Sequence, residues 1–260
     1  MNNEYKNFAI EIAHQAGVIM RQNFSLSMKK EWKHDHTPVT ATDIEINALV
    51  LQKIKETYPE HDVLSEEGDS AYSGSPYVWV CDPVDGTHNF AHGIPTSTFV
   101  LALMQKGLPI VAVIYDPFLD RMFSASKGEG AMVNGKPIFV SESTEIKKTV
   151  IGLGKWNDYI NLFPVGQEIN RRSVRLVTGL SVNYMGALVA VGEMSAVIFG
   201  GTSAYDNVAV KLLVEEAGGR VTNLFGDVEN YSKEVKGQLA SNGLVHDEIL
   251  NIIQNHTNPK

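Results

Sequence analysis

Cysteine is nearly missing from this 260-residue chain, where Cys81 stands alone. An intrachain disulfide is impossible, and a zinc site built on cysteine pairs is excluded. Basic charge is also in deficit. Against 30 Asp and Glu stand 22 Lys and Arg, a formal net charge of −8. That balance argues against a binder of nucleic acid or of anionic membranes. Long apolar runs are missing too: the most apolar stretches, 99–104 and 110–115, are far too short to cross a bilayer. Acidic residues break the apolar run of the opening MNNEYKNFAIEIAHQAGVIM, unlike a signal peptide, so a cytoplasmic protein is expected. A nucleophile elbow is lacking, because Gly179-Leu180-Ser181-Val182-Asn183 fails G-x-S-x-G at its last position. A P-loop is lacking as well: in 130–137, Pro137 stands where Ser or Thr should meet Mg²⁺.

What is present is a globular composition, 43% hydrophobic and 20% charged, which sets disorder aside. Tyr5, Phe8, Ile12, Ala16, Ile19 and Met20 recur at spacings of three and four, which predicts a helix over 4–24. The polar, basic segment 25–38 reads as an exposed loop, with His34-Asp35-His36 among Lys29, Lys30 and Lys33. Thr42 and Glu45 have capping-box spacing and announce a second helix ending before Pro59. Strands are expected at 62–65, 77–81, 96–105, 110–115 and 121–125, with an Asn134-Gly135 hairpin joining 132–133 to 138–140. Beyond about 141 the order alternates: strands at 150–153, 174–177, 196–199, 220–224 and 238–241, helices at 159–171, 182–191, 204–217 and 245–254. Two parts of one compact unit are expected, 1–145 mainly antiparallel and 146–260 mixed.

The chemistry concentrates in Trp79-Val80-Cys81-Asp82-Pro83-Val84-Asp85-Gly86-Thr87. Asp82 falls where the strand ends. Pro83 forces the chain from the sheet and turns the Val84 carbonyl outward, and Asp85 points to the same spot. Two carboxylates and a carbonyl form a hard oxygen set suited to Mg²⁺. Gly86 and Thr87 open a short helix whose backbone N–H groups can receive phosphate oxygens. Asp-Gly also makes ordinary turns, and Asp also caps helices. Three further acids at element edges favour a site: Glu66 beside Glu67 at a strand end, Asp43 in the second helix, and Asp206 opening the 204–217 helix. Carboxylates crowded together repel, so such a cluster needs cations. His88 and His92 lack a third partner and read as structural, and Cys81 reads as an inert buried thiol.

PVTATD, LSEEG, WVCDPVDGTHNF and AYD followed by VEEAGG resemble, in order and spacing, the inositol monophosphatase family of lithium-sensitive, Mg²⁺-dependent phosphomonoesterases. The resemblance covers nearly the whole chain. It implies an α+β fold, a five-layered αβαβα sandwich of sugar-phosphatase type, and a homodimer. It implies two Mg²⁺ ions, or three, held by Glu66, Asp82, the Val84 carbonyl, Asp85 and Asp206, with Asp82 shared. Thr87, hydrogen-bonded to Asp43, would orient or activate the attacking water, Glu66 completing the catalytic group. Asp85, Gly86, Thr87, Ser181 and Phe199 would meet the substrate, a small phosphorylated metabolite, most simply inositol monophosphate. Two departures bear on specificity. Leu180-Ser181 replaces the usual Gly-Ser or Gly-Thr pair, and Phe199 stands where inositol-specific members carry a Glu that binds ring hydroxyls. NADP(H) 2′-phosphatase or fructose-1,6-bisphosphatase activity, with dual specificity, is therefore the alternative. A catalytically idle metal-binding relative with a structural role is the rival from another class.

Overall fold

Small residues on one face of the first helix decide how the N-terminal layer packs. Helix α1 (Asn2–Asn23) buries Ala9, Ile12, Ala13, Ala16, Gly17 and Met20. A Cβ at Gly17 would lie 2.3 Å from the Tyr115 ring, so the helix approaches the sheet as closely as only glycine permits. The computed structural model describes residues 2–26, 28, 31–32, 38–68, 73–154 and 160–257. Within 25–38, expected to be loop throughout, β1 (Glu31–Trp32) and β2 (Pro38–Val39) pair antiparallel. The basic and histidine cluster between Lys29 and His36 lies outside the described residues. Helix α2 (Ala41–Thr57) starts earlier than expected and is capped by Thr40, not Thr42. Both threonines have an acid three residues on. The pairing that forms puts Thr42 and Asp43 inside and leaves Glu45 at the surface.

The large sheet comprises β3 (Asp62–Ser65), β4 (Tyr77–Asp85), β5 (Thr98–Gln105), β6 (Leu108–Asp116), β7 (Arg121–Ser126), β8 (Ala131–Val133) and β9 (Lys136–Pro137), in that order. Only β3–β4 is parallel. The strand after the Asn134-Gly135 turn ends at Pro137, short of the expected 138–140. Ile138 N–H still reaches the Ala131 carbonyl, but Val140 N–H bonds to the Ala217 carbonyl, outside the sheet. Helix α3 (Thr87–Ala91) lies between β4 and β5.

The small sheet has β10 (Val150–Leu153), β11 (Arg175–Thr178), β12 (Ala196–Phe199), β13 (Arg220–Thr222) and β14 (Gln238–Ser241), in the order β11-β10-β12-β14-β13. Its first three strands are parallel and β14 runs against its neighbours. The helices are α4 (Phe163–Arg171), α5 (Val182–Ala190), α6 (Val208–Glu216) and α7 (His246–His256). Helix α4 starts at Phe163, with Pro164 in its first turn, rather than at 159. The expected 204–217 helix starts at Val208, because Asn207 takes the N-cap position and its amide turns back to the Gly201 and Ser203 carbonyls.

The layers follow from side-chain alternation. On β4, Trp79 and Cys81 join the core under α1 and α2, while Val78 and Val80 face α5 and α6. On β12, Val197 and Phe199 face α5 and α6, whereas Ala196 and Ile198 pack under α4 and α7. The result is a five-layered αβαβα sandwich of the α+β class, both sheets being buried on two faces. That explains why 99–104 and 110–115 read as continuous apolar runs: β5 and β6 have core on either side. Burying each such side chain contributes about 1.5–3 kcal/mol. Among the described residues, no helix is long and apolar enough to cross a membrane.

The central layer is closely packed where α5 crosses α6. A Cβ at Gly186 would stand 2.4 Å from Val210 Cγ2. Gly186→Ala is expected to destabilise the protein by about 1–3 kcal/mol through overpacking, measured by urea unfolding. Val210→Ala in the same chain should recover part of that loss.

Candidate metal centre

Strand β4 carries the key motif further than its apolar run suggested. Asp82 pairs with Val100 and Asp85 pairs with Thr98, with a register break between them. The chain therefore does not leave the sheet at Pro83; it bulges, accommodating a residue without an N–H and re-aiming the carboxylates on either side. Val84 N–H bonds to Asp82 Oδ1 at 3.1 Å and fixes the turn. Gly86 follows with φ 85° as the N-cap of α3, a left-handed conformation that favours glycine.

The bulge gathers the acids. Carboxylate oxygens of Asp82, Asp85 and Asp206 lie within 4.8 Å of one another. Asp206 arrives from the turn between β12 and α6, so both sheets contribute. Glu66 sits just past β3, its N–H bonded to the Cys81 carbonyl at 3.1 Å, and its charge acts on Asp82, Asp85 and Asp43. Burial pushes the Asp82 carboxyl well up from its ordinary 3.8, and repulsion from Glu66, Asp85, Asp206 and Asp43 adds to it. Asp85 is also raised by burial, against the lowering effect of hydrogen bonds from Ser181 and Asn183. Tyr205, before Asp206, is pushed up to about 12, first by burial and then by the Asp206 charge.

A second pair stands beside the cluster. Thr87 Oγ1 lies 2.9 Å from the Val84 carbonyl and 3.3 Å from Asp43 Oδ1. Asp43 Oδ2 accepts from the Thr40 N–H at 2.9 Å and the Thr40 hydroxyl at 2.5 Å. Burial raises the Asp43 carboxyl, and the Thr40 bonds counter the rise. The donor set is wholly oxygen, its carboxylates crowded and desolvated. The Asn183 N–H bonds to Asp85 Oδ2 at 2.8 Å, and the same residue's buried Oδ1 has no hydrogen-bond partner among the described residues. These residues fit a hard divalent cation such as Mg²⁺.

Of the residues singled out from sequence, Asp43, Glu66, Asp82, Val84, Asp85, Gly86, Thr87, Ser181 and Asp206 converge on this centre. Phe199 differs: it is 4% exposed, and Cβ atoms at Gly154 and Gly201 would stand 2.5 and 2.1 Å from its ring. Those glycines enclose the ring and leave it almost no surface to offer a substrate. His88 and His92 stack at 4.5 Å, and His92 Nδ1 contacts the His88 carbonyl. Cys81 is free and fully buried, its thiol pushed well up by burial. Sequence reasoning missed Thr40, Thr98 and Asn183. Thr40 had a signal, its three-residue spacing from Asp43; the other two meet Asp85 only through the tertiary fold.

The layered fold, with a buried carboxylate cluster shared between its sheets, defines the sugar-phosphatase class of α+β sandwiches. The sequence pattern of the inositol monophosphatase family matches residues 1–258, and the chain belongs to that family of Mg²⁺-dependent phosphatases, which hydrolyse phosphate monoesters. It is 31% identical over 249 residues to a fructose-1,6-bisphosphatase/inositol-1-monophosphatase of Thermotoga maritima, covering 95% of this chain and 94% of that one. Identity to inositol monophosphatase 2 of Solanum lycopersicum is 32% over 265 residues, covering 96% and 98%. Among solved structures, an inositol monophosphatase from Anabaena (Nostoc) sp. PCC 7120 superposes with TM-score 0.87 at 30% identity, covering 99% of this chain and 97% of that one.

The raised Asp82 carboxyl has a consequence for stability. Above pH 3.8 the unfolded chain gives up a proton that the metal-free folded state retains, so this group's contribution to stability falls as pH rises towards its raised value. In chelator, Asp82→Asn should melt above wild type by a margin that widens from about pH 4 upwards, read by thermal unfolding. Added Mg²⁺ should raise the wild-type melting temperature more than that of the variant.

Proposed function

We propose that this chain hydrolyses a small phosphorylated polyol, with inositol monophosphate the favoured substrate. Glu66, Asp82 and the Val84 carbonyl would hold one Mg²⁺, and Asp82, Asp85 and Asp206 a second; a third ion is compatible with this reading. Residues 1–145 thus supply most of the ligands, and 146–260 complete the set through Asp206. Bound there, the ions supply Lewis-acid chemistry: an acidified water, and charge neutralisation at the phosphate and the leaving oxygen.

The observation that carries the reading is the Asp43–Thr87 pair beside the carboxylate cluster. Thr87 Oγ1 has one proton and two acceptors within reach, Asp43 Oδ1 and the Val84 carbonyl. It can take a hydrogen bond from the attacking water while donating its own, and Asp43 Oδ1 is the nearby base. Thr40 holds the other Asp43 oxygen, keeping Oδ1 turned to Thr87. Backbone N–H groups of Gly86 and Thr87 would orient the phosphate for in-line attack. An idle relative with a structural ion would have no use for this hydroxyl–carboxylate pair.

Substrate breadth is the second reading. The Thermotoga relative is named for both fructose 1,6-bisphosphate and inositol 1-phosphate, and Phe199 in place of a ring-binding Glu favours breadth over inositol selectivity. Lithium sensitivity, a homodimer and a cytoplasmic location belong to the same proposal.

Phosphate release from inositol 1-phosphate, fructose 1,6-bisphosphate, NADP and a nucleotide bisphosphate tests it directly. Mg²⁺-dependent turnover of at least one, stopped by chelator and inhibited by lithium, is expected; silence on all four would sink the phosphatase reading for this chain. Asp85→Asn should lower turnover by more than the roughly 10–100-fold that follows loss of a group orienting a metal ligand. Thr87→Ala should lower it by about 10²–10⁴-fold. Near-normal turnover in either variant counts against the assigned roles.

A further inference from the structure

Ser181 opens α5 with its side chain pointing at the metal centre, and its hydroxyl is fully engaged. It donates to Asp85 Oδ2, accepts the Tyr184 N–H at 3.0 Å, and lies 3.1 Å from Thr98 Oγ1. A hydroxyl has one proton and two lone pairs. With Thr98 donating, all three positions are taken by the protein, and none remains for a substrate. The same count on Asp85 is asymmetric. Oδ2 accepts from Ser181 and from the Asn183 N–H at 2.8 Å, with Thr98 Oγ1 at 3.5 Å. Oδ2 thus carries the bonds from Ser181 and the Asn183 N–H, while a carboxylate oxygen of Asp85 lies within 4.8 Å of oxygens of Asp82 and Asp206.

We infer that Ser181 is a positioning residue rather than a substrate contact: it locks one oxygen of Asp85 so that the other is presented to Mg²⁺. The inference rests on the metal reading above. Two features support a built device. Gly86 lets the α5 start sit against the motif, since a Cβ there would lie 3.2 Å from Ser181 Cβ. Ser181 is 1% and Thr98 0% exposed, so water cannot replace either hydroxyl cheaply. Asp43 shows the same arrangement, Oδ2 held by Thr40 and Oδ1 left for Thr87.

The test is Mg²⁺ binding to the metal-free protein by calorimetry, followed by inorganic phosphate binding at saturating Mg²⁺. Ser181→Ala should weaken Mg²⁺ binding by about tenfold or more, the usual cost of losing a group that orients a metal ligand. Phosphate binding at saturating Mg²⁺ should be unchanged, and Ser181→Thr, which keeps the hydroxyl, should restore Mg²⁺ affinity. Thr98→Val, which removes only the outer hydroxyl, should weaken Mg²⁺ less and serves if the Ser181 variants do not fold. Unchanged Mg²⁺ affinity in Ser181→Ala or, failing its folding, in Thr98→Val would overturn the inference while leaving the metal reading intact. Weakened phosphate binding with intact Mg²⁺ affinity would return Ser181 to substrate contact. A wild-type protein that binds no Mg²⁺ would overturn the metal reading and this inference with it.

Discussion

Crowding like charges where water is scarce is the constraint on which the rest of this structure depends. Asp82 and Asp85 are buried, Asp206 is brought within a few ångströms of them from the other sheet, and the Glu66 charge bears on all of this. Left alone, such a cluster favours protonation or opening of the site. The fold opposes that by rigidity: a bulged strand between two cores holds Asp82 and Asp85, and the β12–α6 turn, tied by Asn207, holds Asp206. A divalent cation supplies the missing positive charge, so metal binding and the integrity of the site are one problem.

The carboxylates are not left to orient themselves. At Asp43 and at Asp85 one oxygen is occupied by a hydroxyl and a backbone N–H from a helix start, Thr40 at α2 and Ser181 with Asn183 at α5. Helix starts suit this task, because unpaired N–H groups and the positive end of the helix dipole both stabilise a carboxylate. The layered architecture brings two such starts, from different layers, to one end of β4. The net charge of −8 fits the same picture: acids are concentrated where cations must sit, and two Mg²⁺ would offset the four carboxylates of Glu66, Asp82, Asp85 and Asp206 by simple addition.

Much of this was legible in the sequence because periodicity and turn chemistry are local. The 3–4 spacing over α1 and the apolar runs of β5 and β6 each mark an element without reference to anything distant. The errors lie where two local signals competed or a distant partner intervened. Thr40 and Thr42 offered rival caps, decided by which acid the core would bury. Pro83 looked like an exit from the sheet, but Asp85 finds Thr98 on β5 and the strand resumes. Asp206 looked like the first turn of a helix, yet Asn207 takes the cap.

Sequence alone determined that the candidate centre is a set of hard oxygens, DPVDGT with a neighbouring Glu pair and a late Asp. Element periods gave two layered parts, mainly antiparallel and mixed, while the five-layer order came from the family resemblance. Tertiary structure decided which oxygen of Asp85 a helix start holds, that Ser181 faces Asp85, and that Phe199 is enclosed by Gly154 and Gly201. Those outcomes depend on contacts between residues tens of positions apart, and no local periodicity encodes the direction in which a side chain meets a distant partner.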